Sequence, residues 1–167
     1  FVAAIDGTKQ LFEVNFPGLT RIAINVSQIT NGDFDVNEIV GFSGTNVIVT
    51  RGDMNHASEI FSYDVKKKSW KQLTNVNTEV YNSLALSKTE KRYVTTTDGK
   101  KMLVWVILPP NFDATKKYPT LLYCQGGPQS ALSQFYSFRW NFQLMAANGY
   151  IVVAPNRRGM PGNGVEW

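Results

Sequence analysis

The sequence predicts two kinds of sheet in one chain. Residues 1–88 read as β-propeller blades, all-β and only partly represented, and residues 89–167 as the N-terminal, incomplete portion of an α/β sheet. Three observations carry that expectation. A five-residue pattern recurs 44 positions apart in the first half. After about Leu86 the apolar spacing changes from short, broken runs to strand, helix, strand. Near residue 120 an apolar strand ends in a glycine pair.

The repeat comes first. Ser27-Gln28-Ile29-Thr30-Asn31 returns as Lys71-Gln72-Leu73-Thr74-Asn75, and Val36 and Val80 keep the same offset. Upstream, Leu11-Phe12-Glu13-Val14 resembles Ile60-Phe61-Ser62-Tyr63 at a slightly longer offset, as an inserted loop would produce. A period of about 40–45 residues suits one four-stranded propeller blade. Short β-rich runs at Glu38–Phe42, Asn46–Arg51, Glu59–Val65 and Trp70–Leu73 are separated by Ser43-Gly44, Gly52-Asp53 and Lys66-Lys67-Lys68, which are turn chemistry. That makes one complete blade preceded by the later strands of another, with a β-sandwich as the plainer alternative.

In the second half, Arg92–Thr97 and Lys101–Leu108 flank Asp98-Gly99-Lys100, a hairpin signal, and Pro109-Pro110 ends the second strand. Thr120–Gln125 is almost wholly apolar until its end, as expected of a strand buried on both faces. Phe135, Phe138, Phe142 and Met145 fall on one helical face, and Asn148-Gly149 stops that helix. Tyr150–Ala154 is another continuous apolar strand, so the unit is βαβ with a right-handed crossover. A glycine-rich loop, Gly159–Gly164, follows.

Composition excludes several classes of function. Hydrophobic content of 43% and aromatic content of 13% are ordinary for a globular chain and leave little room for disorder. Seventeen Lys and Arg against thirteen Asp and Glu give +4. The only dense basic run, Lys66–Lys68, has no interleaved aromatics and reads as a solvated loop, so no nucleic-acid partner is expected. A single cysteine excludes an internal disulfide and a multi-cysteine metal site, and neither a metal nor a cofactor is expected. No stretch approaches the length of a membrane span and no signal peptide is visible, so no membrane partner is expected. The chain opens on strand-like Phe-Val-Ala-Ala-Ile and stops soon after a glycine-rich loop, and it reads as a fragment.

In an α/β sheet, ligands lie outside the carboxyl ends of the strands, which is where Gln125-Gly126-Gly127-Pro128 sits. One part of an α/β-hydrolase oxyanion hole is a backbone N–H in the loop after the third strand, and Thr120–Gln125 is third in order after the hairpin pair. Glycine suits that role because no side chain obstructs the N–H. By itself Gly-Gly-Pro is an ordinary tight turn; its place in the sheet makes the Gly126-Gly127 loop a candidate for this function.

Other residues read as structural. Cys124 is expected to be a buried, inert thiol, because the only histidine, His56, lies in the repeat half. His56 itself reads as a loop residue. Arg51-Gly52-Asp53 reads as a turn between blade strands rather than an adhesion motif, and Arg157-Arg158-Gly159 as a loop anchor rather than a phosphate site. Asn25-Val26-Ser27 is a formal glycosylation acceptor, which has meaning only in a eukaryotic secretory context. No Gly-x-Ser-x-Gly occurs; Gly41-Phe42-Ser43-Gly44 has the wrong spacing. The chain offers half of an oxyanion hole and no nucleophile.

The segments "VILPPNFDATKKYPTLLYCQGGPQS" and "FRWNFQLMAANGYIVVAPNRRGMPGNG" resemble the start of the hydrolase domain in the prolyl oligopeptidase family of serine peptidases, most closely its dipeptidyl peptidase IV and acylaminoacyl peptidase branches. The resemblance spans about Tyr93 to Gly164. It implies a Ser-Asp-His peptidase acting on short peptides, with a propeller placed before an α/β-hydrolase domain. It implies an oxyanion-hole role for Gly127, Gly126 and Gln125, where relatives commonly carry Tyr or His at the position of Gln125. The partners it implies are a short peptide substrate and the remainder of the chain's own hydrolase domain, with room for a homo-oligomer, and it favours a periplasmic or secreted location. Two rival readings stand beside it: an esterase sharing the hydrolase sheet, and a non-catalytic propeller-type binding module.

Overall fold

The computed structural model describes residues 1–15, 24–126 and 130–167, and places their strands in two separate sets. The first contains β1 (Val2–Ile5), β2 (Thr8–Asn15), β3 (Asn25–Gln28), β4 (Asp35–Ser43), β5 (Asn46–Asp53), β6 (His56–Asp64) and β7 (Ser69–Gln72). β4 to β7 form an antiparallel meander. Its first turn uses Gly44 at φ +60, and its last uses Asp64, whose Oδ1 accepts from Lys66 N and Lys67 N at 3.0 and 2.9 Å. Strand β2 is antiparallel to both β1 and β3 and pairs with β4 through the single parallel pair Lys9 and Asp35. Alternating inward residues, Val47 and Val49 on β5 with Tyr63 on β6, pack with Leu11, Phe34 and Val36 into one core.

The repeat has a structural meaning. Gln28 Nε2 donates to Thr30 O at 2.7 Å, and Gln72 Nε2 donates to Thr74 O at 2.8 Å. Ile29 N donates to Leu11 O at 2.9 Å, and Leu73 N to Ile60 O at 2.8 Å. Thr30 Oγ1 accepts from Leu11 N, and Thr74 Oγ1 from Ile60 N, each at 2.9 Å. In both copies the outer strand leaves the ladder, and a threonine hydroxyl replaces the lost carbonyl so that the inner strand's N–H stays satisfied. Val36 and Val80 are not equivalent. Val36 is buried in β4, whereas Val80 is exposed in a short helix, α1 (Thr78–Asn82), because the chain leaves the blade there.

The second sheet contains β8 (Lys88–Thr95), β9 (Lys101–Leu108), β10 (Thr120–Leu122) and β11 (Ile151–Pro155), in the order β10-β11-β9-β8, with helix α2 (Phe142–Ala147) preceding β11. β8 and β9 form the expected hairpin around Gly99 at φ +80, and β10 runs parallel to β11. β9 is buried on both faces. Leu103, Trp105 and Ile107 join Leu132, Phe142, Ala146, Val152, Ala154 and Met160, while Val104, Val106 and Leu108 form a second cluster. Burying each of the Leu, Ile, Val, Phe and Met side chains among them stabilises the fold by about 1.5–3 kcal/mol.

Four expectations are corrected. The strand expected over Thr120–Gln125 is β10, three residues long and exposed throughout, and Cys124 is exposed rather than a core thiol. Among the described residues β10 is the edge strand of this sheet, and burial of a strand requires covering layers that its own apolar sequence does not supply. The helix expected over Phe135–Asn148 is confined to Phe142–Ala147, because Asn141 Oδ1 accepts from Leu144 N at 2.9 Å and fixes the start as an N-cap. Phe135 still packs on the core, but Phe138 is 87% exposed. Finally, His56 opens β6 rather than lying in a loop.

The two sheets meet over the turn after β1. Gly7, at φ +71, lies where a Cβ would stand 2.8 Å from Leu103 Cδ2 and 2.9 Å from Trp105 Nε1, so only glycine fits. Asp6 N donates to Gly162 O at 3.0 Å, and Lys91 Nζ lies 3.3 Å from both Asp6 and Asp33. Tyr93 Oη donates to Asp6 at 2.6 Å, and burial together with this carboxylate pushes the phenol up to about 12. Met54, at the β5–β6 turn, enters the core of the second sheet.

Candidate active-site loop

The loop leaving β10 is held at both ends. Tyr123 N donates to Val153 O at 2.8 Å, extending the parallel pairing by one residue before the chain departs. Gln125 is half-buried; its Oε1 accepts from Tyr123 Oη at 3.0 Å, and its carbonyl accepts from Arg157 Nη2 at 3.3 Å. The Gln125 Nε2 donors have no partner among the described residues. Gly126 is exposed and outside every strand ladder. A Cβ at Gly126 would meet nothing within 4 Å, and its φ is not positive, so neither internal packing nor turn geometry calls for glycine at this position. Gly127, the other half of the pair, lies outside the described residues.

On its return the chain has no regular secondary structure and takes its hydrogen bonds from elsewhere. Leu132 N donates to Asn156 Oδ1 at 2.8 Å, and Leu132 O accepts from Asn156 Nδ2 at 2.9 Å and from Trp105 Nε1 at 3.1 Å. Asn156 is itself fixed at the carboxyl end of β11, where its N–H donates to Leu103 O at 2.8 Å. From the first sheet, Asp35 Oδ2 accepts from Ser133 Oγ at 2.6 Å, and its Oδ1 accepts from Gln134 N at 3.2 Å. Met54 N donates to Gln134 Oε1 at 3.1 Å. Burial pushes the Asp35 carboxyl up, against the opposing pull of Ser133 and Lys9.

The sequence reading did not find Asp35, Ser133, Gln134 or Asn156. A signal existed for Asn156, a polar residue directly after a continuous apolar strand. An aspartate opening a blade strand carries no such mark.

The remaining candidates are structural. Arg158 pairs with Asp98 of the β8–β9 turn, donates to Glu166 O at 2.9 Å and stacks 4.4 Å over Trp167. In the Arg51-Gly52-Asp53 tripeptide, Arg51 lies over the rings of Phe34, Phe61 and Trp70 at 3.8, 4.8 and 4.9 Å. A Cβ on Gly52 would come within 2.9 Å of His56 O, and Asp53 Oδ1 accepts from Asn55 N and His56 N at 2.8 and 2.9 Å. His56 Nδ1 is 2.8 Å from Asp53 Oδ1, and that hydrogen bond raises the imidazole above its ordinary value. Its ring meets Tyr81 edge-on at 4.9 Å. Among the described residues no group of three or more His, Cys, Asp or Glu could hold a metal ion, and no helix is long and apolar enough to cross a membrane.

The chain has counterparts among known proteins. Residues 136–167, which carry α2, β11 and the Arg157–Gly164 loop, match the sequence profile described as the Prolyl oligopeptidase family. Over 169 aligned residues, covering the whole chain, it is 44% identical to a Dipeptidyl-peptidase 5 of Porphyromonas endodontalis and 43% identical to that of Porphyromonas gingivalis. The chain is similar to members of the prolyl oligopeptidase family. It spans 23% and 24% of the length of those two relatives. Among solved structures of the family it is similar to the acylaminoacyl peptidase of Pyrococcus horikoshii, with a TM-score of 0.76 at 21% identity, covering 97% of this chain and 24% of that one. Oligopeptidase B from Leishmania major gives 0.66 at 14% identity, covering 96% and 23%. The fold is accordingly that of β-propeller blades followed by the start of an α/β-hydrolase sheet.

Proposed function

We propose that the chain is part of a serine peptidase that cleaves short peptides, with residues 1–88 in the C-terminal blade region of a propeller and residues 89–167 in the N-terminal portion of the hydrolase domain. In this reading the loop after β10 supplies half of the oxyanion hole through the N–H groups of Gly126 and Gly127, with the Gln125 amide beside them. The observation that carries it is Gly126: exposed, just beyond the carboxyl end of a parallel-paired strand, and glycine where no internal contact demands one. A backbone N–H aimed at a developing oxyanion in such a place stabilises the transition state by about 3 kcal/mol per donor.

Dipeptide release is favoured over removal of acylated residues, because the relatives at 43–44% identity bear the name Dipeptidyl-peptidase 5. The acylaminoacyl peptidase likeness, at 21% identity, speaks for the fold alone. The substrate is then a peptide, and the first partner is the rest of the hydrolase domain, which must bring the serine, acid and histidine. Residues 1–167 contain no Gly-x-Ser-x-Gly, and their one histidine, at the start of β6, is hydrogen-bonded to Asp53. The chain alone is therefore inactive, since nucleophilic catalysis needs a serine with a base in hydrogen-bond reach.

The test uses a fluorophosphonate probe and dipeptidyl-naphthylamide substrates. The full-length protein is expected to be labelled on one serine outside residues 1–167 and to release dipeptides, and the isolated chain to do neither. Labelling of the isolated chain, or a full-length protein that neither labels nor turns over, overturns the reading; the second result would favour a binding module.

A further inference from the structure

We propose that Asp35 is a positioning residue through which the propeller sets the loop that follows β10. This rests on the reading of that loop as the oxyanion side of a serine peptidase.

Asp35 is fully buried at the start of β4, and both of its oxygens are occupied. Oδ1 accepts from Lys9 N at 2.9 Å and Gln134 N at 3.2 Å, and Oδ2 from Ser133 Oγ at 2.6 Å, with Lys9 Nζ at 4.0 Å. Two of those donors lie 98 and 99 residues away, in the segment that returns from the glycine pair. That segment belongs to neither a strand nor a helix, so its position is decided by what holds it.

The second sheet holds Leu132 through Asn156 and Trp105. The first sheet holds Ser133 and Gln134 through Asp35, and Gln134 again through Met54 N. Gly126 therefore lies between an anchor at Gln125, tied to Arg157 and Tyr123, and an anchor at 132–134, half of which is supplied by the blade. A carboxylate suits this place because three donors converge on one side chain, more than an asparagine's single acceptor oxygen serves well. Oxyanion donors work only when held in place before charge develops, and misplacement of about 1 Å costs on the order of a hundredfold in rate.

A rival explanation is that Asp35 only ties β2 to β4, since it also bonds Lys9 N. Ser133 separates the two, because Ser133→Ala removes a bond to the loop and leaves the Lys9 contacts intact. In the full-length protein, Asp35→Asn is expected to lower kcat by about ten- to a hundredfold with KM within about twofold, and Ser133→Ala by about three- to tenfold with KM again unchanged. The fluorophosphonate labelling rate, which uses the same oxyanion donors, is expected to fall in parallel in both. If Asp35→Asn does not fold, Ser133→Ala decides. A folded Ser133→Ala with wild-type kcat and labelling rate overturns the proposal while leaving the peptidase reading standing. A wild-type protein that neither labels nor turns over removes the peptidase reading, and this proposal with it.

Discussion

Asn156 grips Leu132 by both sides of its backbone, accepting its N–H at 2.8 Å and donating to its carbonyl at 2.9 Å. A side-chain amide carries the donor and acceptor of a peptide group, so Asn156 acts as a one-residue strand for a segment that has none. Both residues are fully buried, and water cannot replace these bonds.

Asn156→Ala leaves the Leu132 N–H unpaired, while the carbonyl keeps Trp105 Nε1. The expected loss is about 2–3 kcal/mol, read as a lowered thermal midpoint. Asn156→Asp keeps the acceptor but sets a carboxylate oxygen against the Leu132 carbonyl. Its midpoint is expected to fall further as pH rises through the new carboxyl's titration. Equal midpoints for wild type and Asn156→Ala would mean that the segment is held without this residue.

The two copies of the threonine bond differ in surroundings and so in expected cost. Thr30 is buried and also donates to Gln10 Oε1 at 2.8 Å, whereas Thr74 is only partly buried and donates to Glu59. Thr30→Val strands Leu11 N in the core and is expected to cost about 1–3 kcal/mol, and Thr74→Val about 1 kcal/mol or less because water can reach Ile60 N. Paired thermal melts check the order; a larger effect at Thr74 would contradict it.

His56 gives a pH dependence with a defined sign. Its hydrogen bond to Asp53 raises the folded imidazole above its ordinary value near 6.5. The group's contribution is present in full below the unfolded value and is lost as pH rises through the folded value. His56→Gln is therefore expected to lower the thermal midpoint more at about pH 6 than at about pH 8.5. Asp53→Asn should abolish that difference. A pH-independent deficit in His56→Gln would show that the pair works through its neutral hydrogen bond alone.

The legible parts of the fold were those written in local pattern. The Gln-x-Thr echo marks where an outer blade strand leaves its ladder, because the hydrogen bonds that end it run within two residues or to the next strand. The hairpin of β8 and β9 was visible because the positive φ at Gly99 needs glycine, and β11 because a buried strand reads as an unbroken apolar run. Val80 shows the limit: an offset of 44 continued the pattern on paper, while the chain had already left the blade as a helix.

By itself the sequence determined the strand-rich blade, the change to an α/β sheet and the glycine pair in the loop after β10, since each depends on residues near one another in the chain. Only the tertiary structure decided that among the described residues β10 is an exposed edge and Cys124 is exposed, and that α2 begins at Phe142. It alone brought Asp35 to Ser133 and Gln134, and Asn156 to Leu132. The physical reason is that a buried polar group must find a partner, but nothing in its own neighbourhood of sequence says which distant segment will bring one.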